Sequence, residues 1–214
     1  MRRLRALRRE SLGFVIGSAC FALGALPGYV DLVGERADNI TYVVGAIFFT
    51  AAAFVQLRLS GRWRSGAWRS RADWDDWWAA TIQFAGTLCF NVTTIAALSA
   101  QLTAQQADAR VWRPDAVGSL CFLVSSALAI RATTHRDGLW DPEARNWWSS
   151  WLNMAGSVAF AASAVASYVV PSSDSLLDAE LVNSGTFAGA ICFMAAALLT
   201  RPPRHAAAQP QRNE

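Results

Sequence analysis

Six apolar segments of this chain carry the same short motif near their middle: a glycine, a small residue, two variable residues and a phenylalanine. The motif's glycine and phenylalanine positions are Gly17 and Phe21, Gly45 and Phe49, Gly86 and Phe90, Gly118 and Phe122, Gly156 and Phe160, and Gly189 and Phe193. Residues four apart lie on nearly the same face of a helix. The recurrence therefore predicts six similar helices that pack through a notch at glycine and a knob at phenylalanine.

The segments around the motif are long and almost free of charge. They cover residues 11–33, 39–57, 77–100, 114–130, 147–170 and 181–200. A helix of roughly 17 to 25 residues crosses the hydrocarbon core of a bilayer, so each segment is long enough to span it. Because the alternation typical of membrane strands is absent, the sequence predicts an all-α polytopic membrane protein with six transmembrane helices.

The six predicted helices pair into three repeated two-helix hairpins, over residues 11–60, 77–132 and 147–200. The sequence WWAATIQFAGTLCF from Trp77 aligns without a gap with WWSSWLNMAGSVAF from Trp147. The first hairpin is the most diverged, because Leu7 and Arg8 stand where the others have paired tryptophans. Three copies that enter the membrane in the same sense predict an internal axis along the membrane normal. The sequence leaves open whether the hairpins form a ring or a row.

Charge is distributed unequally between the two sides of the predicted membrane protein. With the amino terminus inside, 16 of the 19 basic residues, all of them arginine, fall on the cytoplasmic side. The cytoplasmic segments are residues 1–10, an Arg/Trp-rich loop 61–76, a loop 133–146 and a tail 201–214. The positive-inside rule then places both termini in the cytoplasm. An arginine-rich start before an apolar run is also the pattern of a signal peptide, but the first helix carries the repeated motif.

The tandem hairpins resemble the YrhK-like family of small bacterial integral membrane proteins, in which a tryptophan precedes a GSxxF-type signature. The matching residues are clearest from Trp147 to Phe160 and from Gly118 to Phe122. The resemblance implies a membrane fold of three hairpins in the bacterial inner (plasma) membrane. It implies no established activity and no catalytic residues.

The predicted spans contain the amides Gln56, Gln83, Asn91, Asn153 and Asn183, of which three are candidate functional residues. Gln83, Asn91 and Asn153 are candidates for interhelical hydrogen bonds that fix the packing. The alternative is a polar pathway for a small solute. No histidine or carboxylate lies deep in a span, so no proton relay is predicted.

All four cysteines occupy one position of the motif, three residues after the glycine: Cys20, Cys89, Cys121 and Cys192. We expect them to pack as small buried residues. A thiol cluster for a metal or redox site is the alternative, although no CxxC spacing and no intramembrane histidine accompanies them. The two histidines, His135 and His205, fall in the predicted inner loop and tail, so we expect no cofactor.

Nine of the ten tryptophans lie toward the predicted cytoplasmic side, which is typical of an interfacial aromatic belt. The segment 61–76 mixes them with arginine and either lies on anionic lipid or forms an ordinary loop. Asp73, Asp75 and Asp76 are predicted to balance nearby arginines rather than to hold a cation. No recognition fold for nucleic acid surrounds this segment.

The sequence therefore predicts an integral membrane protein without a catalytic site. Its partners are the lipid bilayer and either further copies of itself or another membrane protein, met through the small-residue faces. The main alternative is a small-solute channel or transporter lined by the amides. A thiol-based metal or redox protein is the third hypothesis.

Overall fold

The computed structural model describes residues 2–60, 70–99, 102–138, 140–170, 172–173 and 175–202, and this part of the chain is almost entirely helical. The six long helices are α1 (Arg2–Gly24), α2 (Glu35–Leu59), α3 (Arg71–Ala97), α4 (Arg113–Asp137), α5 (Arg145–Ala166) and α6 (Ala179–Leu199). Most of the predicted Arg/Trp-rich loop, residues 61–69, and the tail from residue 203 lie outside the described residues.

Short elements connect the long helices at one end of the bundle. A one-turn helix, Tyr29–Val33, lies between α1 and α2. A short helix, Ala104–Ala107, and a π-helix, Asp108–Trp112, lead directly into α4. Between α5 and α6, the two-residue strands β1 (Val169–Val170) and β2 (Ser175–Leu176) pair antiparallel.

The long helices extend beyond the apolar segments of the sequence. Helix α3 begins before Trp77 because the Ser70 hydroxyl caps it by accepting a hydrogen bond from the Asp73 backbone N–H. Helix α4 continues to Asp137 and ends at Gly138, which has a positive φ of 85°. Parts of the predicted loops 61–76 and 133–146 are therefore helical, because caps rather than hydrophobicity set where a helix ends.

The six helices form a closed ring. Each hairpin pairs its two helices most extensively, α1 with α2, α3 with α4 and α5 with α6. Adjacent hairpins also pack, through α2 with α3 and α4 with α5, and α6 returns to pack against α1. The Ser11 hydroxyl on α1 donates a hydrogen bond of 2.7 Å to the Ala197 carbonyl on α6. We call the end of the ring where α1 begins and α6 ends the termini end.

Four helical segments of the described chain are long and apolar enough to cross a membrane: Glu35–Leu59, Arg71–Ala97, Ala104–Arg136 and Ala179–Leu199. These indicate a membrane-embedded protein. Helices α1 and α5 are not among these four. The first two turns of α1 are rich in arginine, and the first half of α5 is rich in tryptophan, serine and asparagine.

Candidate functional site

The centre of the ring is filled by the six phenylalanines of the repeated motif. Each of the six long helices contributes one of them, and each side chain is only 2 to 6% exposed. We call this set the phenylalanine layer: Phe21, Phe49, Phe90, Phe122, Phe160 and Phe193.

The phenylalanine layer has approximate three-fold symmetry. The rings from α1, α3 and α5 form one triangle, with centroids 6.3, 5.9 and 6.0 Å apart. The rings from α2, α4 and α6 form a second triangle, with centroids 6.4, 6.1 and 5.5 Å apart. Each hairpin contributes one ring to each triangle. The centroids of its two rings lie 5.5, 5.0 and 5.6 Å apart in the first, second and third hairpins. Most of these ring pairs are edge to face, the arrangement that aromatic quadrupoles favour.

The motif glycines let the two helices of a hairpin approach closely. A Cβ at Gly17 would lie 2.8 Å from Cδ2 of Phe49 and 3.0 Å from the Gly45 carbonyl oxygen. A Cβ at Gly45 would lie 2.8 Å from Cδ2 of Phe21, so the contact is reciprocal. The other hairpins repeat the arrangement, with the partner's phenylalanine ring at 2.9, 3.3, 3.0 and 2.9 Å from a Cβ at Gly86, Gly118, Gly156 and Gly189. Each phenylalanine therefore fills the notch of the partner helix.

The three amides lie at separate places in the ring. Asn91 on α3 donates a hydrogen bond to the Thr50 hydroxyl on α2. Gln83 on α3 accepts a hydrogen bond of 3.3 Å from the Ser125 hydroxyl on α4. Asn153 is half-buried on α5. No hydrogen bond in the described part of the chain joins two of these amides, and the bonds of Asn91 and Gln83 each connect two neighbouring helices.

The four cysteines are free and partly exposed on the outer side of the ring. Cys20 belongs to the first hairpin and Cys192 to the third, whereas Cys89 and Cys121 share the second. The Cβ of Cys121 lies 2.9 Å from a Cβ placed on Gly86, so these side chains flank the helix crossing. Among the described residues, no three histidine, cysteine or acidic side chains are grouped closely enough to hold a metal ion.

Hydroxyl side chains connect neighbouring hairpins, a role that the sequence pattern alone does not predict. The Ser126 and Ser157 hydroxyls, on α4 and α5, share a hydrogen bond of 2.8 Å. Ser11 connects α1 to α6, and Thr50 connects α2 to α3. One of these hydroxyls, that of Ser157, belongs to the small residue that follows each motif glycine. That residue is at most 2% exposed in all six helices: Ser18, Ala46, Thr87, Ser119, Ser157 and Ala190.

A charged cluster lies at the termini end of the second hairpin. We call it the acid–arginine cluster, and it consists of Asp73, Asp75 and Asp76 on α3 with Arg131, His135 and Arg136 on α4. Asp75 is 1% exposed, with Arg131 Nη2 3.3 Å from its Oδ1 and His135 Nε2 3.7 Å from its Oδ2. Arg136 pairs with both Asp73 and Asp76. Burial raises the pKa of Asp76, and the Arg136 guanidinium partly opposes that shift.

Tryptophans also gather at the termini end of the second and third hairpins. The rings of Trp77 and Trp78 lie 4.8 Å apart, and that of Trp147 lies 4.9 Å from Trp148. At the opposite end, the Trp112 indole donates a hydrogen bond of 2.9 Å to the Ala164 carbonyl, which connects the π-helix to α5. Trp63 and Trp68, which the sequence also assigns to the interfacial belt, lie outside the described residues.

No family model, curated protein or solved structure matches this chain. The geometry of the ring and its phenylalanine layer therefore carries the functional argument.

Proposed function

We propose that the chain is a six-span scaffold protein of the bacterial inner membrane, built from three YrhK-like hairpins, with both termini in the cytoplasm. Its role is structural or interactive rather than catalytic. The observation that carries this proposal is the phenylalanine layer, in which every long helix contributes one buried ring to a closed, filled centre.

The layer supports a spanning role for α1 and α5 as well as for the other four long helices. Phe21 of α1 and Phe160 of α5 lie 5.9 Å apart and belong to the same triangle as Phe90 of α3. Because α3 carries its ring near the middle of an apolar helix, α1 and α5 must reach the same depth. Their serine-rich faces are turned into the ring, where Ser18 and Ser157 are fully buried.

The charge distribution supports an orientation with the termini end in the cytoplasm. The acid–arginine cluster, the tryptophan pairs and the arginine-rich start of α1 all belong to this end. Arginines favour the cytoplasmic side of a membrane protein, and tryptophans favour the headgroup region.

A channel or transporter is the competing function, and the filled centre counts against it. A solute path along the ring axis would have to displace rings with centroids 5.0 to 6.4 Å apart. Two of the three amides that would line such a path, Asn91 and Gln83, instead bond hydroxyls at helix interfaces. Proteoliposomes of the purified chain should therefore release a small trapped solute no faster than empty liposomes, and faster release would favour the channel.

Reporter fusions test the number of spans and the orientation. We expect fusions after Ser60 and Gly138 to report the cytoplasm, and fusions after Gly34, Gln105 and Ser173 to report the opposite compartment. Two successive connections in one compartment, or a chain that stays soluble without detergent, would contradict the six-span proposal. Capture from native membranes through the intact bundle would then identify the partner, either a second copy or another membrane protein.

A further inference from the structure

The second hairpin has a groove on its outer surface, at the end opposite the termini end. Its volume is about 440 Å³, and its lining residues are Leu88, Cys89, Val92, Ala109, Arg113, Pro114 and Val117. Cavities that hold small organic ligands are typically about 300–1,000 Å³ and largely apolar. All the lining residues except Arg113 are apolar or weakly polar, so the groove suits a hydrocarbon chain.

The groove has an apolar end and a charged end. Leu88 and Val117 lie beside the motif glycines, whereas Ala109 and Arg113 lie where the chain passes from α3 to α4. In a membrane-spanning hairpin, the first pair faces acyl chains and the second pair lies near the headgroups. A single phospholipid has the matching arrangement, with an anionic phosphate at the headgroup level and acyl chains in the hydrocarbon region.

The π-helix Asp108–Trp112 shapes the charged end. Such turns carry an extra residue and often mark functional sites. Nε and Nη2 of Arg113 donate hydrogen bonds of 3.1 and 2.9 Å to Oδ2 of Asp108. The other terminal nitrogen of Arg113, Nη1, has no hydrogen-bond partner within the described chain, and this side chain is 67% exposed. Asp108 thus orients the guanidinium while one of its edges stays open to an anion.

We propose that this groove binds one phospholipid of the adjoining leaflet, with an acyl chain between α3 and α4 and its phosphate on Nη1 of Arg113. The proposal rests on the membrane location proposed above. It assigns the second hairpin a lipid-binding role that the packing motif alone does not provide.

Native mass spectrometry of the full chain in detergent tests the apolar part of the site. The probe is palmitoyl-oleoyl phosphatidylglycerol, and we expect the chain to retain one molecule. Val117→Phe fills the groove and should lower the retained fraction about tenfold. Val124→Phe is the matched control, because Val124 is also exposed on α4 but does not line the groove. Equal retention by the wild type and Val117→Phe would overturn the proposal.

The charged part of the site is tested by two substitutions with opposite expected effects. Arg113→Gln removes the side chain that binds the phosphate, and it should lower retention of phosphatidylglycerol about tenfold. The variant should then retain this lipid no better than palmitoyl-oleoyl glycerol, which has no phosphate. Asp108→Asn frees the guanidinium from its carboxylate and should raise retention. Both variants break the same ion pair, so a purely structural role would move both in the same direction, and that result would contradict the phosphate contact.

The failure of this inference is distinguishable from failure of the proposed function. A chain whose reporter fusions alternate between compartments but which retains no phospholipid would contradict the groove site alone. A chain that is soluble without detergent would contradict the membrane scaffold itself.

Discussion

The middle of the bundle and its termini end follow different rules. In the middle, all three hairpins use the same contacts: a glycine notch, a buried small residue and a phenylalanine in a common layer. At the termini end the hairpins differ, since the second carries both the acid–arginine cluster and a tryptophan pair, whereas the third carries tryptophans without that cluster. The first hairpin has Leu7 and Arg8 where the others have tryptophan pairs.

The difference shows how a repeated hairpin can build an unsymmetrical protein. Lipid provides no hydrophobic force between helices, so the middle depends on close fit, and close fit demands the same small and large residues in every copy. Polar side chains at a helix end reach water or headgroups, so an ion pair or an indole there needs to suit only its own surroundings. The substitutions below separate the two regions, beginning with the largest expected effect.

Phe49→Ala tests the shared middle, with its neighbour Phe48 as the control. Phe49 is 3% exposed within the layer, whereas Phe48 is 36% exposed on the outer side. Loss of the Phe49 ring leaves a cavity among rings from three other helices. We therefore expect the free energy of unfolding to fall by about 4 kcal/mol. Phe48→Ala should cost less than about 1 kcal/mol. Reversible unfolding in mixed micelles measures both, and similar losses would remove the layer's special role.

Gly45→Val tests the notch in the same hairpin. A Cβ at Gly45 would already lie 2.8 Å from the Phe21 ring and 3.0 Å from the Cβ of Cys20, so a branched side chain has to push α1 and α2 apart. The expected loss of stability is about 2–3 kcal/mol. Ala51→Val adds similar bulk on the exposed face of α2 and should change stability by less than about 0.5 kcal/mol. A tolerated Gly45→Val would mean that the helices are not in close contact.

Asp75→Asn tests whether the termini end depends on one local pair. It removes the charge that Arg131 and His135 face while keeping the shape of the side chain. Because Asp75 is buried but Arg131 can be rehydrated, we expect a loss of about 2 kcal/mol, below that of a fully buried pair. Asp73→Asn, at a partly exposed position, should cost about 0.5 kcal/mol or less. Equal losses of stability for Asp75→Asn and Asp73→Asn would show that the cluster acts only through its overall surface charge and not through one buried pair.

Glu10→Gln tests the pH dependence of the termini end on α1. Burial raises the pKa of Glu10 from 4.5 to about 7. The folded chain then holds a proton that the unfolded chain releases, so this group's stabilisation is complete below pH 4.5 and is lost as the pH rises through about 7. Glutamine stays neutral, so at pH 8 the variant should melt about 2–4 °C above the wild type. At pH 4 the two should melt together, and a difference there would point to lost packing instead.

The sequence predicted much of the middle and little of the ends. The glycine notch and the phenylalanine knob can be read directly from a motif that is repeated six times at helical spacing. The structure is correspondingly all-helical. Nothing local distinguishes the bonded Ser126 from the other serines, because its partner Ser157 is on another helix. The π-helix likewise depends on how one extra residue is accommodated between packed helices, and helix ends depend on caps such as Ser70. Length, hydropathy and charge together mark four spans in the described chain, and neither the arginine-rich α1 nor α5, with its tryptophans, serines and asparagines, is among them.

Closure of the ring is the most direct test of the account, because it requires α6 to return to α1. In a chain whose four native cysteines are replaced by alanine, Ser11→Cys combined with Ala197→Cys puts one thiol on each helix at the α1–α6 contact, where Ser11 Oγ lies 2.7 Å from the Ala197 backbone carbonyl oxygen. Oxidation in native membranes should form an intramolecular disulfide in most molecules. Ser11→Cys combined with Ala132→Cys on α4, across the ring, should form none. Absence of the first crosslink, with only intermolecular dimers, would show a row of hairpins and contradict a bundle closed around six phenylalanines.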